Sequence, residues 1–328
     1  MKNIFIMNNG TFGKEQIKHL GKKSVHLIWP IIRAILVAGI CFVILSPLIT
    51  KITISFMSEK DLYNSTVKYV PENWTLDNYK IVFRVMEYPL TLLKSVFLAF
   101  SISICQVISC CLVAYGLARF KFPGKKLLMF LLVVTLVVPP QTIIVPLFLN
   151  FRWFDPLGLF GLLGIGSANL IDTYWPFVLM SLTGTYLKNA LYIFILSQVF
   201  KSAPKAIEDS ACVDGAGVFK TFYKIMIPNV TPMLLTVFLF SFVWQWTDIF
   251  YTSMFLNQNN VLANALIYLP FNVLTIEGTT SFVSSYNLSY ISMIQSTGSI
   301  LIVAPLLLFY AFTQRFFLES LNSAAVKG

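Results

Sequence analysis

Histidine and carboxylates are scarce in this chain. The only histidines are His19 and His26, both ahead of the first long apolar run, and acidic residues number 14 in 328. An enzyme site needs a nucleophile beside a base, or several ligands around a metal. No histidine and no pair of carboxylates lies inside an apolar run, so neither constellation has its residues and no enzyme activity is expected. Five cysteines show no metal-ligand spacing, and no metal site is expected. Cys41, Cys105, Cys110 and Cys111 lie in apolar runs, where a free thiol packs as a small hydrophobe. Cys212 lies in a polar segment expected to be cytoplasmic and reduced. The phosphate-binding pattern Gly-x-x-x-x-Gly-Lys-Ser/Thr is absent, so the chain is not expected to hydrolyse ATP itself, and no cofactor is expected in it. Charge is thin too. Only 12% of residues are charged, against about 25% in soluble domains.

What is present is apolar. The chain is 57% hydrophobic with a mean hydropathy of +0.75, a membrane composition. Its apolar runs predict an all-α integral membrane protein with six transmembrane helices, near residues 27–56, 91–117, 127–149, 174–200, 230–255 and 288–312. The first run is too long for a signal-peptide core and has no small-residue cleavage site. The organisation expected is a polar segment 1–26, a permeation domain 27–314 and a tail 315–328. The net charge of +10 does not indicate a nucleic-acid partner, because the basic residues sit at the ends of apolar runs on alternating sides. Segments 1–26, 119–126, 201–228 and 315–328 hold fifteen Lys and Arg. Segments 51–94, 150–173 and 256–289 hold seven. The bias predicts a multi-pass protein of the cell membrane, in contact with lipid, with both termini cytoplasmic.

Several residues at membrane depth are candidates for a solute pathway. Val138-Pro139-Pro140-Gln141 predicts a kink in the third span, with Gln141 either facing a pathway or lying at a packing bend. Gly184 predicts a broken helix or re-entrant turn in the fourth span. Lys188 reads either as a pathway cation or as an anchor snorkelling to the interface. Trp244 and Asp248 lie in the fifth span, and Asp248 is expected to face protein or water, with Lys188 as its candidate partner. Residues 256–289 read as a nearly uncharged external loop, and 150–173 as an apolar, glycine-rich one.

The polar stretch from Pro204 to Pro228 organises the rest. Pro204 fits the first turn of a helix capped by Ser202. Ala206, Ile207, Ser210, Ala211 and Asp214 recur at helical spacing. Gly215 supplies a left-handed stop. A second short helix is expected over Val218–Ile225, and Pro228 begins the next span.

This stretch resembles the EAA loop of ABC-transporter permeases, whose pattern is Glu-Ala-Ala, three residues, Gly, nine residues, then Ile-x-Leu-Pro. Here it reads Asp209-Ser210-Ala211, Cys212-Val213-Asp214, Gly215, nine residues and Ile225-Met226-Ile227-Pro228. Asp replaces Glu, Ser the first Ala, and Ile the Leu. Three further segments resemble carbohydrate permeases of the maltose type, second subunit. They are Thr75-Leu76-Asp77-Asn78-Tyr79, Ala114-Tyr115 through Arg119 to Phe122-Pro123-Gly124, and Gln314-Arg315-Phe316-Phe317 with the terminal Ala325-Val326-Lys327-Gly328. Thr247 departs from the family's Trp-Asn-Asp/Glu. The resemblance implies a type I importer permease for a sugar or oligosaccharide. Glu208, Asp209, Ser210, Ala211, Asp214, Gly215, Ala216 and Pro228 would then form its coupling element. Implied partners are a second permease, two ATPase subunits or an ATPase homodimer that bind the ATP and Mg, and an extracytoplasmic solute-binding protein. A permease for a non-sugar solute stays open, as does an ion-coupled secondary transporter. The latter would carry internal repeats and several intramembrane carboxylates, and only Asp248 is seen.

Overall fold

The computed structural model describes residues 12–62, 64, 67, 70–164, 166–256, 261–276 and 288–326. Among them, all regular elements are helical. Two compact units are resolved, up to Thr75 and from Leu76 onward.

The first unit is one long helix, α1 (Phe12–Ser55), followed by the short α2 (Glu59–Leu62). Residues 12–26 of the expected polar segment are helical and continuous with the predicted span, so the helix starts 15 residues before it; residues 1–11 fall outside the described residues. Met57 bridges to Trp74, and Asp61 is buried against Asn73. The Asp61 carboxylate accepts from the Asn73 backbone N–H at 2.9 Å and from its side-chain amide at 2.7 Å. Burial pushes this carboxyl up, but the Asn73 hydrogen bonds outweigh it and leave the group below its ordinary range. Its stabilising contribution is therefore present above the unfolded carboxylate pKa and lost as the pH falls through the lower folded value.

The second unit is built around α4 (Tyr88–Arg119), preceded by α3 (Asp77–Val85). α5 (Lys125–Val137) and α6 (Ile144–Arg152), joined by a 310 turn over Pro140–Ile143, make the predicted third span. They bend by 98°. Val138 is extended because a residue before proline is driven out of the α region, and Pro139 then follows at ψ 133°. α7 (Leu159–Leu162) lies in the apolar loop. The predicted fourth span is two helices, α8 (Trp175–Leu182) and α9 (Asn189–Ser202). Gly184 at φ 74° and Lys188 at φ 66° both take left-handed backbone in the break, so the broken helix is the outcome.

α10 (Lys205–Val213) and α11 (Val218–Thr221) lead through a π turn, Phe222–Met226, into α12 (Ile227–Trp246). The expected second helix does not stop before Pro228 but widens into it. A proline ring clashes with the carbonyl four residues back, here Lys224, and the π turn opens the ladder there. α13 (Phe250–Phe255) follows. Residues 256–289 are not simply a loop, since α14 (Leu262–Ile276) lies within them; 257–260 and 277–287 fall outside the described residues. Residues 262–276 carry no charge, and that polar-poor, apolar content suffices for a packed helix. α15 (Leu288–Val326) runs on through the predicted tail, so 315–326 continues the last helix; Lys327 and Gly328 fall outside the described residues.

The six expected spans thus appear as four unbroken apolar helices, one sharply bent pair and one broken pair. Two apolar clusters flank the middle of α4. One joins Cys110, Ala114 and Tyr115 to Tyr192, Leu196, Phe200 and Met226, toward the end of the bundle that carries Arg119, Lys121, Lys125 and Lys201. This is the basic end. The other joins Leu98 and Ile102 to Phe177, Tyr186, Tyr251 and Phe255 at the opposite end. α12 is tied to α15 by the Trp246 indole N–H donating to the Ile302 carbonyl at 3.2 Å.

α15 also approaches α14 closely. A Cβ at Gly298 would lie 2.8 Å from Leu269 Cδ2 and 2.9 Å from Leu266 Cδ1. Gly298→Val is expected to lower stability by about 1–3 kcal/mol through overpacking. Thermal unfolding of the detergent-solubilised protein measures it. An unchanged midpoint would show that the two leucines yield freely.

Candidate functional site

Between the two apolar clusters lies a buried polar layer. Gln106 on α4 donates through its amide to the Asn189 side chain and to the Leu187 carbonyl, the latter at 3.0 Å. Its amide oxygen accepts from Ser241 on α12. Ser109, one turn along α4, donates to the Ser181 carbonyl at 2.6 Å. Leu187 lies in the α8–α9 break and Ser181 in the last turn of α8, where the helical ladder is interrupted. Away from water such groups must be bonded within the protein, and α4 supplies the donors.

This layer forms one wall of a cavity of about 400 Å3. Gln141, Lys188, Trp244 and Asp248 all line it, together with Gln106, Tyr186 and Ser241. The structure therefore brings the four candidate pathway residues to one place. Three of them arrive through an irregularity: Gln141 after the Pro139-Pro140 bend, Lys188 at the end of the α8–α9 break, and Asp248 in the gap between α12 and α13; Trp244 lies within α12.

The expected Lys188–Asp248 pairing does not form. The Lys188 ammonium stands over the Trp244 ring, 4.6 Å from its centroid. Asp248 instead caps α13. It accepts from the Phe250 and Tyr251 backbone N–H groups at 3.1 and 3.3 Å and from the Tyr186 hydroxyl at 3.4 Å. The orphan N–H groups at a helix start compete for a nearby carboxylate, and here they win over the ammonium. Sequence reasoning missed Gln106, Asn189, Tyr186 and Ser241. The signal was Ser103, Gln106 and Ser109 at three-residue spacing in an apolar run, one polar edge of a helix.

At the basic end, α10 projects as a short exposed helix. Its start differs from expectation. Pro204 precedes the helix, and Ser202 ends α9, its hydroxyl donating back to the Val199 carbonyl at 2.9 Å. Its end is as expected. Gly215 has φ 74°, its N–H bonds to Cys212 O at 3.1 Å, and Ala216 N–H bonds to Ala211 O at 2.9 Å. These are the two bonds of a Schellman stop. Pro228 lies in the first turn of α12.

The helix has two sides. Ala211 is buried and Glu208 is turned inward, where its carboxylate lies 3.1 Å from Arg119 Nε at the end of α4. Arg119 also donates to the Ala203 carbonyl at 2.8 Å. Ala211 therefore packs inward, on the face of α10 turned to the bundle. Asp209, Ser210, Val213, Asp214 and Gly215 face outward, with Val213 88% exposed. Phe219, 86% exposed, and Tyr223 extend this apolar surface into the next turns.

A helical bundle with an irregular cavity beside a buried polar layer, and an exposed helix at one end, has the parts of a solute-translocating membrane subunit. Residues 110–321 match the family of binding-protein-dependent transport system inner membrane components, and the chain belongs to that family. It is 28% identical over 261 residues to the trehalose transport system permease protein SugB of Mycobacterium tuberculosis, covering 80% of this chain and 85% of that one. It is 27% identical to the polygalacturonan/rhamnogalacturonan transport system permease protein YtcP of Bacillus subtilis, covering 86% and 92%. A chain of a bacterial ABC transporter involved in the import of the acidic polysaccharide alginate shares its fold. That match has a TM-score of 0.67 at 21% identity and covers 88% of this chain and 96% of that one. The fold is thus that of a type I ABC importer permease.

Proposed function

We propose that this chain is one of two permease subunits of a binding-protein-dependent ABC importer for a sugar or oligosaccharide, with both termini cytoplasmic. The observation that carries the reading is the outward face of α10. It is an apolar and acidic surface held rigidly at the basic end of a bundle from a transport family. A partner ATPase pair, which binds the ATP and Mg, receives α10 and moves it. Because α10 is tied to α4 through Glu208 and Arg119, its displacement is passed to the helix that forms the polar wall of the cavity. Alternating access then follows from two arrangements of the bundle, biased by the differential affinity of ATP and solute for each. An extracytoplasmic binding protein delivers the solute at the opposite end. The names of the relatives, which concern trehalose and pectic polymers, support a carbohydrate.

Within the cavity, Trp244 offers an apolar ring face for a pyranose, and Gln141, Lys188 and Ser241 offer polar groups around it. Trp244→Ala is expected to raise the KM for uptake about tenfold, the loss of roughly 1.4 kcal/mol of binding. Uptake of labelled trehalose and of oligogalacturonides into cells carrying either form measures it. An unchanged KM for every sugar transported removes Trp244 from the pathway.

Gly215 separates docking from folding. A Cβ there meets nothing within 4 Å, so Gly215→Ala bears only the left-handed backbone cost of about 1–2 kcal/mol. Gly215→Asp bears a similar cost and also places a charge on the docking face. Solute-stimulated ATPase activity of the reconstituted complex is expected to survive the alanine largely intact and to collapse in the aspartate. Equal behaviour of the two variants would mean that this face meets no partner.

A further inference from the structure

A second pocket lies away from the pathway, at the basic end. It is an open hollow of about 700 Å3, lined by Lys121, Lys125, Lys126 and Lys201, with Phe122 and Met129. Four amines converge and no carboxylate lines the pocket. Lys121 comes from the turn between α4 and α5, Lys125 and Lys126 from the start of α5, and Lys201 from the last turn of α9. Such a concentration of like charge is unfavourable without a counter-ion. Only Lys125 has a hydrogen-bonding task among the described residues. Its ammonium donates to the Phe120 carbonyl at 3.0 Å and to the Ala118 carbonyl at 3.5 Å, closing the end of α4. The first N–H groups of α5, which follow Gly124, have no side-chain cap and add partial positive charge on the same side.

The surface below the pocket names the ligand. α5 buries none of its residues, and Leu127, Leu128, Phe130 and Leu131 are all exposed along it. A charged pocket above an uncovered apolar helix is complementary to a molecule with an anionic head and hydrocarbon chains. We infer that this pocket is a binding site for an anionic phospholipid, its headgroup phosphate among Lys121, Lys125, Lys126 and Lys201 and its acyl chains along α5. A soluble phosphate would use the amines alone and leave the apolar flank unused. The bound lipid would fill the corner between α4, α5 and α9. The inference rests on the chain's embedding in a membrane and not on the identity of the transported solute.

The test is lipid retention by the delipidated, purified importer complex, read by native mass spectrometry during titration with phosphatidylglycerol, phosphatidylcholine or inorganic phosphate. The variant is Lys121→Gln with Lys126→Gln and Lys201→Gln, which spares Lys125 and its carbonyl bonds. The wild type is expected to retain phosphatidylglycerol and not phosphatidylcholine. The variant should bind it roughly a hundredfold more weakly, about fivefold per lysine. The same three positions changed to Arg keep the charge and should restore binding, which separates a lost site from a damaged fold. Equal retention of phosphatidylglycerol by wild type and Gln variant overturns the inference, as does equal retention of phosphatidylcholine. Displacement of the lipid by inorganic phosphate at matched concentration also overturns it, assigning the pocket to a soluble anion.

Discussion

Arg119→Ala is expected to detach the α10 loop and to uncouple ATP hydrolysis from uptake. The Arg119 and Glu208 side chains are only 6% and 17% exposed, so the pair lies mostly out of water. Removing one partner of such a pair leaves the other charge desolvated and unmatched, a cost of about 3–5 kcal/mol when burial is complete. The residual exposure of Glu208 places this pair near 3 kcal/mol. Arg119 also holds the Ala203 carbonyl at the hinge between α9 and α10, and that bond goes with it. A deficit of this size corresponds to more than a hundredfold shift in the docked-to-undocked ratio of the loop. Solute stimulation of ATPase activity in reconstituted complexes is therefore expected to vanish while basal hydrolysis persists. Pairing Arg119→Met with Glu208→Leu removes both charges. It is expected to recover thermal stability, because a buried ion pair replaced by apolar groups is often neutral. If Arg119→Ala alone couples like the wild type, the ion pair transmits nothing.

Gln106→Leu is expected to be the most damaging single change inside the membrane. It withdraws the partner from Asn189, from the Leu187 carbonyl and from Ser241 at once. Interhelical hydrogen bonds in membranes average only about 0.6 kcal/mol each by double-mutant cycles, with a maximum near 1.7. Three together give about 2–5 kcal/mol, and the upper part of that range applies because the Leu187 carbonyl has no ladder partner to return to. The expected result is a lowered unfolding temperature and loss of monodisperse complex in detergent. Gln106→Glu, which keeps the acceptor for Ser241, should fall between. Full stability of the leucine variant would mean that water reaches the layer from the cavity.

The sequence displayed some of these features well and others poorly, and the reasons are physical. Gly215 was legible because few residues tolerate φ 74°, so a glycine at the end of a helical pattern has a narrow meaning. The bend at Pro139 was legible as a kink, since a Pro-Pro pair cannot continue a helix, but its 98° angle depends on packing. Ser202 was misread because a serine can cap the next helix or close the previous one, and the tertiary position of α9 decides. Helix α14 was hidden because its apolar, uncharged residues 262–276 sit between segments rich in Asn, Ser and Thr, and the whole of 256–289 read as a loop. The Lys188–Asp248 pairing failed because charge complementarity ignores the backbone donors of α13, which lie nearer in sequence to Asp248 than the lysine does. Glu208 was assigned with its neighbours to the coupling element, but the pattern gave no sign that it turns inward to Arg119 and anchors α10.

The broken pair α8 and α9 carries a consequence for how this protein is made. With 8 and 14 residues, the two helices are about 12 and 21 Å long, and neither crosses the roughly 30 Å hydrocarbon layer alone. The carbonyls at the end of α8 and in the break, Ser181 and Leu187, accept from Ser109 and Gln106, which lie on α4. α4 is long and apolar enough to enter the bilayer by itself. The segment from Trp175 to Ser202 therefore has a stable place in lipid only after α4 is there to receive it. Biogenesis must be ordered: the insertion machinery has to shelter the later segment until the earlier helix accepts it, and a nascent chain lacking Gln106 would stall at that handover before it could fail at transport.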